Sequence, residues 1–569
     1  MRILTRLKLV VLTLVCGSVL VCASPALAVT GGPQWTVTAV SAPTNLVPGD
    51  ETGNQFYNVT VTNTGGEPSN GPVTITDTLP EGITLDEVGA QGFELANHVT
   101  EFDELGTPLS CEGVSCTFSG SVVPDEMLLV RIPIDVDLAS EQTVANVVHV
   151  YGGGAPDVFM RTPTLVSHTP AGYGIPPGST TVSLSDNQAG AHADLTNTIG
   201  YNTDDGEGQD AGDQKEASVV LPPGFGGDLV ETPTCSVAKF THEECPIGTQ
   251  IGVATILFEG LLGAAGSMNT VPVFNLAAEP GDVAKIGFPV AGGSAHVQAD
   301  VTVLPGTYQL KTTFHNIDAL VKQNLVSVTI WGVPTEASHD DWRWTGGLVS
   351  GHFGASSSNA RVPYLASPTS CTGEAQPTKF QSVSWQEPDA KPAETVALLA
   401  PLDDCDRLGL ESTFTAVPTT TSAYAPTGLN VELGAHQTNE NPEGLAASAL
   451  KKAVVTLPEG MTVNPSAGVG LGACTRAQYE AETLETPVGV GCPIESKLGT
   501  VHIKTPALNE EGSGSVYLAT PYANPFSEEG HPDGSLIALY VVARFPVRGV
   551  TVKVAGKVSA DPITGRLIT

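Results

Sequence analysis

The amino-acid sequence predicts an all-β protein made of tandem β-sandwich modules with few short helices. Short runs rich in Val, Thr and Ile recur along the 569 residues, for example at 56–62 and 550–554. Gly, Pro, Asn and Asp bound these runs, as is typical of strands and their turns. The chain holds 62 Gly and 43 Pro, whereas helical periodicity is confined to 445–452 and 476–485. Many short strands with so few helices indicate sandwiches or closed sheets.

Residues 1–28 have the pattern of a secretory signal peptide. Three basic residues precede an apolar run at 9–21, which is followed by Ala26-Leu27-Ala28, with small residues where a signal peptidase cleaves. The run is short for a membrane span of about 20 residues, although a retained anchor helix is the alternative. We therefore expect a protein that is secreted, extracellular or at the cell surface, with no transmembrane segment after signal removal.

The charge balance argues against nucleic acid as a partner. The chain carries 60 Asp and Glu against 25 Lys and Arg, and three of those basic residues lie in the signal. Such an acidic surface repels phosphate backbones. It favours solubility outside the cell, and attraction of divalent cations is the alternative.

Cysteine usage agrees with export, because eight of the ten cysteines follow the signal and fall into close pairs. The pairs are Cys111 with Cys116, Cys235 with Cys245, Cys371 with Cys405, and Cys474 with Cys492. An even number of cysteines in an exported chain predicts disulfides. The sequential pairing is an assumption, since eight cysteines allow 105 connectivities. Zinc is the alternative, but there is no CxxC motif.

An internal repeat organises the second half of the chain. Residues 194–224 align without gaps to 430–460, and nine of the 31 positions are identical. The match resumes at 245–247 and 492–494, which both read CPI. Repeats of this length are whole domains in tandem. Each copy contains Leu-Pro-x-Gly, which ends a strand in a fixed turn because Pro cannot continue a central ladder.

These boundaries predict five regions. They are the signal at 1–28, a first sandwich at 34–165, a second module and repeat copy 1 at 170–345, a β-rich connector with a disulfide at 346–425, and repeat copy 2 at 426–569. Copy 1 continues into a strand at 325–331 that has no counterpart before Thr569. We therefore expect copy 2 to lack its closing strand and the chain to be a truncated form of a longer protein.

Two resemblances extend this interpretation. Residues 55–150 resemble the bacterial conserved-repeat domain, a family of unknown function, which implies an immunoglobulin-like sandwich without a known active site. The residues that carry this resemblance are 57–65 (YNVTVTNTG), 77–82 (DTLPEG), 115–118 (SCTF) and 145–148 (ANVV). The remainder resembles uncharacterised secreted repeat proteins of actinobacteria. That likeness rests on 331–334 (WGVP), 339–340 (HD), 368–371 (PTSC) and 457–460 (LPEG).

Catalytic motifs are absent from the sequence. It has no HExxH, no GxSxG, no P-loop and no dinucleotide fingerprint. One close His/carboxylate cluster stands out, at 339–341 (HDD) beside Trp342, Arg343 and Trp344. It predicts either a site that holds a metal or stacks a sugar on the indoles, or a turn with Trp side chains packed at a module junction. The sequence favours the junction.

An acidic loop offers a calcium site as a second candidate. The candidate ligands are Asp204, Asp205, Glu207, Asp210 and Asp213. Hard cations favour such oxygen-rich loops, although the spacing is not that of an EF-hand. No other cofactor is predicted.

The sequence therefore leaves three functional hypotheses. The first is a non-catalytic secreted or cell-surface structural or display protein. The second is an extracellular module that binds cell-wall or extracellular glycan or protein, as an adhesion protein does. The third is a hydrolase with distant carboxylates, which needs no local motif.

Overall fold

The computed structural model describes residues 31–50, 54–95, 106–204, 211–228, 231–258, 267–290, 295–319, 323–346, 352–437, 441–463, 470–520, 537–561 and 563–569. Within these ranges the chain is predominantly strand, which confirms the predicted all-β class. The predicted signal at 1–28 lies outside the described residues. In the described part of the chain, no helix has the length and hydropathy needed to cross a bilayer.

The first module contains eleven strands. They are β1 (Trp35–Ala42), β2 (Asn45–Leu46), β3 (Gln55–Asn63), β4 (Val73–Thr78), β5 (Ile83–Leu85), β6 (Gln91–Leu95), β7 (Ser110–Glu112), β8 (Ser115–Phe118), β9 (Met127–Val136), β10 (Gln142–Gly152) and β11 (Ala155–Val166). One sheet has the order β1-β3-β9-β5, with β6 also on β9, and the other has the order β2-β11-β10-β4-β8-β7. Val59, Ile75, Val130 and Val150 are buried between the sheets. Alternating side chains from two layers thus fill one core, as in a sandwich.

The second module is built on one sheet of eleven further strands. They are β12 (Thr181–Leu184), β13 (Leu195–Gly200), β14 (Gln214–Val220), β15 (Gln250–Phe258), β16 (Ser267–Leu276), β17 (Ala284–Val290), β18 (Ala295–Val303), β19 (Leu310–Phe314), β20 (Gln323–Ile330), β21 (Gln376–Ser384) and β22 (Ala393–Leu399). Their order is β12-β13-β20-β15-β16-β17-β18-β19-β14-β21-β22. The sheet curls so that its end strands, β12 and β22, contact each other.

The predicted boundary between residues 345 and 346 is wrong for part of the connector. Strand β21 pairs with β14, for instance at Val219 with Phe380, and β22 pairs with β21. Because β14 is flanked by β19 on one side only, its second edge needs a partner, and the connector supplies it. Residues 376–399 therefore belong to the second module.

The last region holds a hairpin and a separate five-stranded sheet. The hairpin is β23 (Ser412–Pro418) with β24 (Leu429–Ala435), and it spans the predicted boundary at 425/426. The sheet runs in sequence order through β25 (Lys497–Thr505), β26 (Leu508–Ala519), β27 (Ile537–Phe545), β28 (Val550–Ala560) and β29 (Leu567–Ile568). Each copy has one short helix before a pair of neighbouring strands. In copy 1, α1 (Val237–Thr241) precedes β15 and β16, and in copy 2, α2 (Arg476–Glu480) precedes β25 and β26.

Of the two predicted helices, only the one at 476–485 forms, as the shorter α2. The expectation of a helix at 445–452 is wrong, because that segment has no regular secondary structure. Its backbone N–H groups bond outside the segment: Ala446 N donates to Gly190 O at 2.7 Å and Ser448 N to Gly409 O at 2.9 Å. Tertiary hydrogen bonds thus replace the local ones that a helix requires.

Disulfides join the four predicted cysteine pairs. Two of them occupy equivalent places in the two copies. Cys235 forms an isolated parallel β-bridge with Leu276 at the end of β16. Cys474 forms the same kind of β-bridge with Ala519 at the end of β26. The repeat read from the sequence is therefore also a repeat of structure.

Candidate functional site

The predicted His339 cluster forms a 3-10 turn, Ala337–Trp342, that packs against Trp331, the residue after β20. His339 is 4% exposed, its ring stacks on Trp331 with a centroid distance of 4.4 Å, and its Nε2 lies 3.1 Å from Asp194 Oδ2. Burial alone lowers the pKa of His339, but the charge and hydrogen bond of Asp194 outweigh it and raise the pKa. The histidine is thus an internal ion-pair partner in the described structure.

Arg343 fixes the shape of this turn from inside. Its guanidinium is fully buried and donates to Pro334 O at 3.0 Å and to Glu336 O at 3.1 Å, while Nε donates to Asp340 Oδ1 at 3.0 Å. A buried charge is tolerated only when its donors are satisfied. Here two backbone carbonyls and one carboxylate satisfy them, so the arginine has a structural role.

Trp342 of the cluster and Trp331, on which His339 stacks, join the second module to the first. Trp342 Nε1 donates to Pro124 O at 2.6 Å, and Trp331 Nε1 donates to Asp125 Oδ2 at 3.1 Å. Trp342 and Trp344 are only 2% and 9% exposed. A sugar could not stack on them, so the sugar-stacking alternative is wrong and the indoles belong to the module junction.

Sequence reasoning missed the buried carboxyl groups at this junction. Asp125 is fully enclosed, and burial, with the nearby charge of Asp194, raises its pKa to about 6. Burial and a hydrogen bond with Glu94 raise the pKa of Glu126 to about 9. Glu94 lies on β6 and Glu126 lies 32 residues later, just before β9, and no local pattern marks them as neighbours.

The predicted calcium loop is described only in part. Asp205, Glu207 and Asp210 lie outside the described residues. Asp204 is exposed, and Asp213 Oδ2 accepts a hydrogen bond of 2.6 Å from Gln386 Nε2, a residue of the former connector. Among the residues that the structure describes, no three His, Cys, Asp or Glu side chains are grouped as a metal site would need. The calcium site stays a prediction.

An exposed aromatic surface lies on the outer face of the first module, and we call it the aromatic patch. It consists of His149 and Tyr151 on β10 and Phe159 on β11. His149 and Phe159 are directly opposite in the ladder, with stacked rings 4.0 Å apart, and Tyr151 lies 4.8 Å from His149. Phe159 is 67% exposed and Tyr151 is 40% exposed.

The patch follows from the strand periodicity of two. Residues 149, 151, 157 and 159 point away from the core that Val148 and Val150 fill. Asp157 Oδ2 lies 3.2 Å from His149 Nε2 and orients the ring. Exposed aromatic rings with a polar neighbour are the features that glycan- and protein-binding surfaces use. The alternation in 148–151 carried this signal, but the pairing of β10 with β11 was needed to find it.

No protein-family model matches the chain, and no curated protein matches it. Several solved structures are similar at low identity. The C-terminal domain of the Streptococcus pyogenes antigen I/II-family protein AspA is 6% identical, with 64% of this chain and 99% of that chain covered and a TM-score of 0.15. The collagen adhesin of S. aureus is 9% identical over 71% and 95% of the two chains, with a TM-score of 0.15.

A third similar structure is the collagen-binding domain of Erysipelothrix rhusiopathiae surface protein RspB. It is 12% identical, with 66% of this chain and 94% of that chain covered and a TM-score of 0.16. At such TM-scores the likeness carries no argument about this chain. The all-β assignment rests on the strand pairing itself.

Proposed function

We propose that this protein is a non-catalytic structural or display protein of the cell surface or the extracellular medium. The observation that carries the proposal is the buried junction between the first two modules. Trp331 and Trp342 donate hydrogen bonds across it, and both indoles are enclosed. A junction of this kind holds two modules in one orientation, whereas flexibly linked modules move independently.

The signal pattern and the acidic surface support a place outside the cytoplasm, where the four disulfides are stable. Fractionation of the native host tests this directly. We expect mass spectrometry with non-reducing peptide mapping to find the disulfide-bonded chain in the medium or the wall fraction. Recovery of the reduced chain from the cytoplasm would contradict the proposal.

The rigid junction has its own test in small-angle scattering of the purified chain. Trp342→Ala removes the indole and the bond to Pro124 O, and we expect a larger radius of gyration while both modules stay folded. Trp385→Ala is the control, because Trp385 is 41% exposed and its indole Nε1 donates within the second module, to Ile317 O at 2.8 Å. Equal scattering by the two variants would show that the junction does not set the shape.

A second candidate function is adhesion through the aromatic patch. The exposed rings of the patch support this candidate. We propose an extracellular glycan or protein as the partner. The purified chain would be tested on a glycan array and on a cell-wall preparation. Phe159→Ala and Tyr151→Ala should each weaken retention at least tenfold, since aromatic anchors dominate such surfaces. The matched control is Leu398→Ala, on the exposed face of β22. Retention that survives both aromatic substitutions excludes the patch.

A further inference from the structure

A cavity of about 500 Å³ lies inside the curled sheet of the second module. Strands β13, β14 and β17 to β21 contribute its walls. Its apolar wall includes Ile199, Ile286, Phe288, Val297, Val326 and Phe380. These side chains also belong to the module's apolar core. The core is therefore hollow along the concave face of the sheet.

Ordinary close packing does not account for a space of this size. Protein interiors are close-packed, and few of their voids exceed the size of a water molecule. A buried water needs two to four polar partners, and apolar cavities stay dry and bind apolar molecules. The volume falls within the range of about 300–1,000 Å³ that small-molecule sites occupy.

The lining chemistry restricts the ligand. No Asp, Glu, Lys, Arg or His side chain lines the cavity among the described residues. A carboxylate or phosphate inside it would be desolvated without a counter-charge, which is strongly unfavourable. The polar side chains include Asn197, whose Oδ1 is buried and has no hydrogen-bond partner in the described structure. Such an acceptor suits one donor on an otherwise apolar ligand.

Copy 2 contributes part of the lining of the cavity. Ala507 and Leu508, at the turn between β25 and β26, line it together with Val550. Two hydrogen bonds hold copy 2 against the second module: Lys553 N donates to the side-chain Oη of Tyr308 at 3.1 Å, and Gly281 N donates to Val547 O at 2.9 Å. The lining of the site thus combines the second module with a different part of the chain.

We propose that the second module binds an uncharged, elongated apolar molecule with one hydroxyl or amide donor, as in a long-chain alcohol. The donor bonds to Asn197 Oδ1, and the chain lies along the apolar wall beneath copy 2. This binding is separate from the surface function proposed above, because none of the cavity's residues lies in the aromatic patch or at the module junction.

The neutral fluorophore N-phenyl-1-naphthylamine, added to the full purified chain, tests the site. We expect saturable fluorescence enhancement with one probe per chain, displaced by hexadecanol. Hexadecanoate should displace it at least tenfold less well. Absence of saturable binding would overturn the proposed site, and equal displacement by the two ligands would overturn the neutral ligand class.

Cavity-filling variants locate the probe. Val219→Phe places a larger side chain at a half-buried wall position and should weaken probe binding at least tenfold. Val396→Phe is the matched control on the exposed face of β22 and should bind as the natural chain does. If a thermal melt shows that Val219→Phe does not fold, Val328→Ile replaces it as a smaller change of the wall. We expect Val328→Ile to fold and to weaken probe binding about threefold. A folded wall variant with unchanged affinity would overturn the assignment.

Discussion

Strands β15 and β25 occupy the same place in the two repeat copies, yet their surroundings differ. Every residue of β15 is buried, whereas β25 alternates between half-buried and exposed residues. In copy 1, β20 pairs with β15 from Gly252 with Ile330 to Phe258 with Gln323. Among the described residues, β25 pairs with β26 only. The lower burial of β25 therefore accompanies two differences: it lacks the second partner strand, and its sequence (KLGTVHIKT) is more polar than that of β15 (QIGVATILF).

A second pair of segments leads to the same conclusion. Val219 lies in β14, between β19 and β21, whereas its counterpart Val455 lies in a segment that forms only an isolated bridge, Thr456 with Ile568. The local geometry is nevertheless shared. Leu221 N donates to Leu310 O at 3.0 Å, and its counterpart Leu457 N donates to Leu567 O at 2.8 Å. The repeat reproduces the turn and its hydrogen bond, while the ladder depends on which strands are present.

The largest expected difference between the copies is energetic. Ile256→Ala removes a fully buried side chain from β15, and we expect the free energy of unfolding of copy 1 to fall by about 2–5 kcal/mol. Ile503→Ala changes the equivalent half-buried residue of β25, and its effect on copy 2 should stay below about 1.5 kcal/mol. Urea denaturation monitored by hydrogen exchange in each copy measures both. Equal losses of unfolding free energy in the two variants would contradict the expected difference between the copies.

The stability of the junction between the first two modules and the stability of copy 2 should respond to pH in opposite directions. The pKa values of Glu126 and Asp125, about 9 and about 6, lie above their ordinary 4.5 and 3.8. Their contribution to stability is therefore complete below about pH 4 and is lost as the pH rises towards 9. In copy 2, hydrogen bonding and charge from Lys504 lower the pKa of Glu511, and hydrogen bonds from Thr564 lower that of Asp561. Stability from these exposed groups is lost as the pH falls instead.

Thermal melts between pH 5 and pH 9 measure this contrast. The junction should melt at a lower temperature at pH 9 than at pH 6, and Glu126→Gln, which cannot ionise, should remove most of that slope. A slope that survives Glu126→Gln would assign the dependence to other groups.

The smallest expected effect concerns the outer edge of β25. A synthetic peptide with the sequence of residues 323–332 carries the β20 pattern and should pair antiparallel with β25, protecting its amides from exchange. Amides of β15 should not change, because β20 already pairs with them. A peptide with Pro at two pairing positions is the control, since Pro donates no ladder bond. Protection by both peptides would show that the contact is not strand pairing. The expectation that copy 2 lacks a closing strand stays a prediction.

Local patterns in the sequence predicted the strands, the turns, the four cysteine pairs and the repeat. Contacts between residues that are distant in the sequence could not be predicted from these local patterns. Asp125 and Trp331 are separated by 206 residues, and no motif links them. The pairing of β21 with β14 was missed because an alternating strand carries no label for its partner. The cavity could not be found either, since its lining residues read individually as ordinary core positions.

Hydrogen exchange at the amides of β15 and β25, in the natural chain and without added peptide, tests the central comparison most directly. Amides that lack a strand partner exchange through local fluctuations, whereas central ones need larger openings. We predict slow exchange along all of β15, and fast exchange at those β25 amides that point away from β26. Equally slow exchange along both strands would contradict the account, because it would require a partner for β25 that the described structure does not contain.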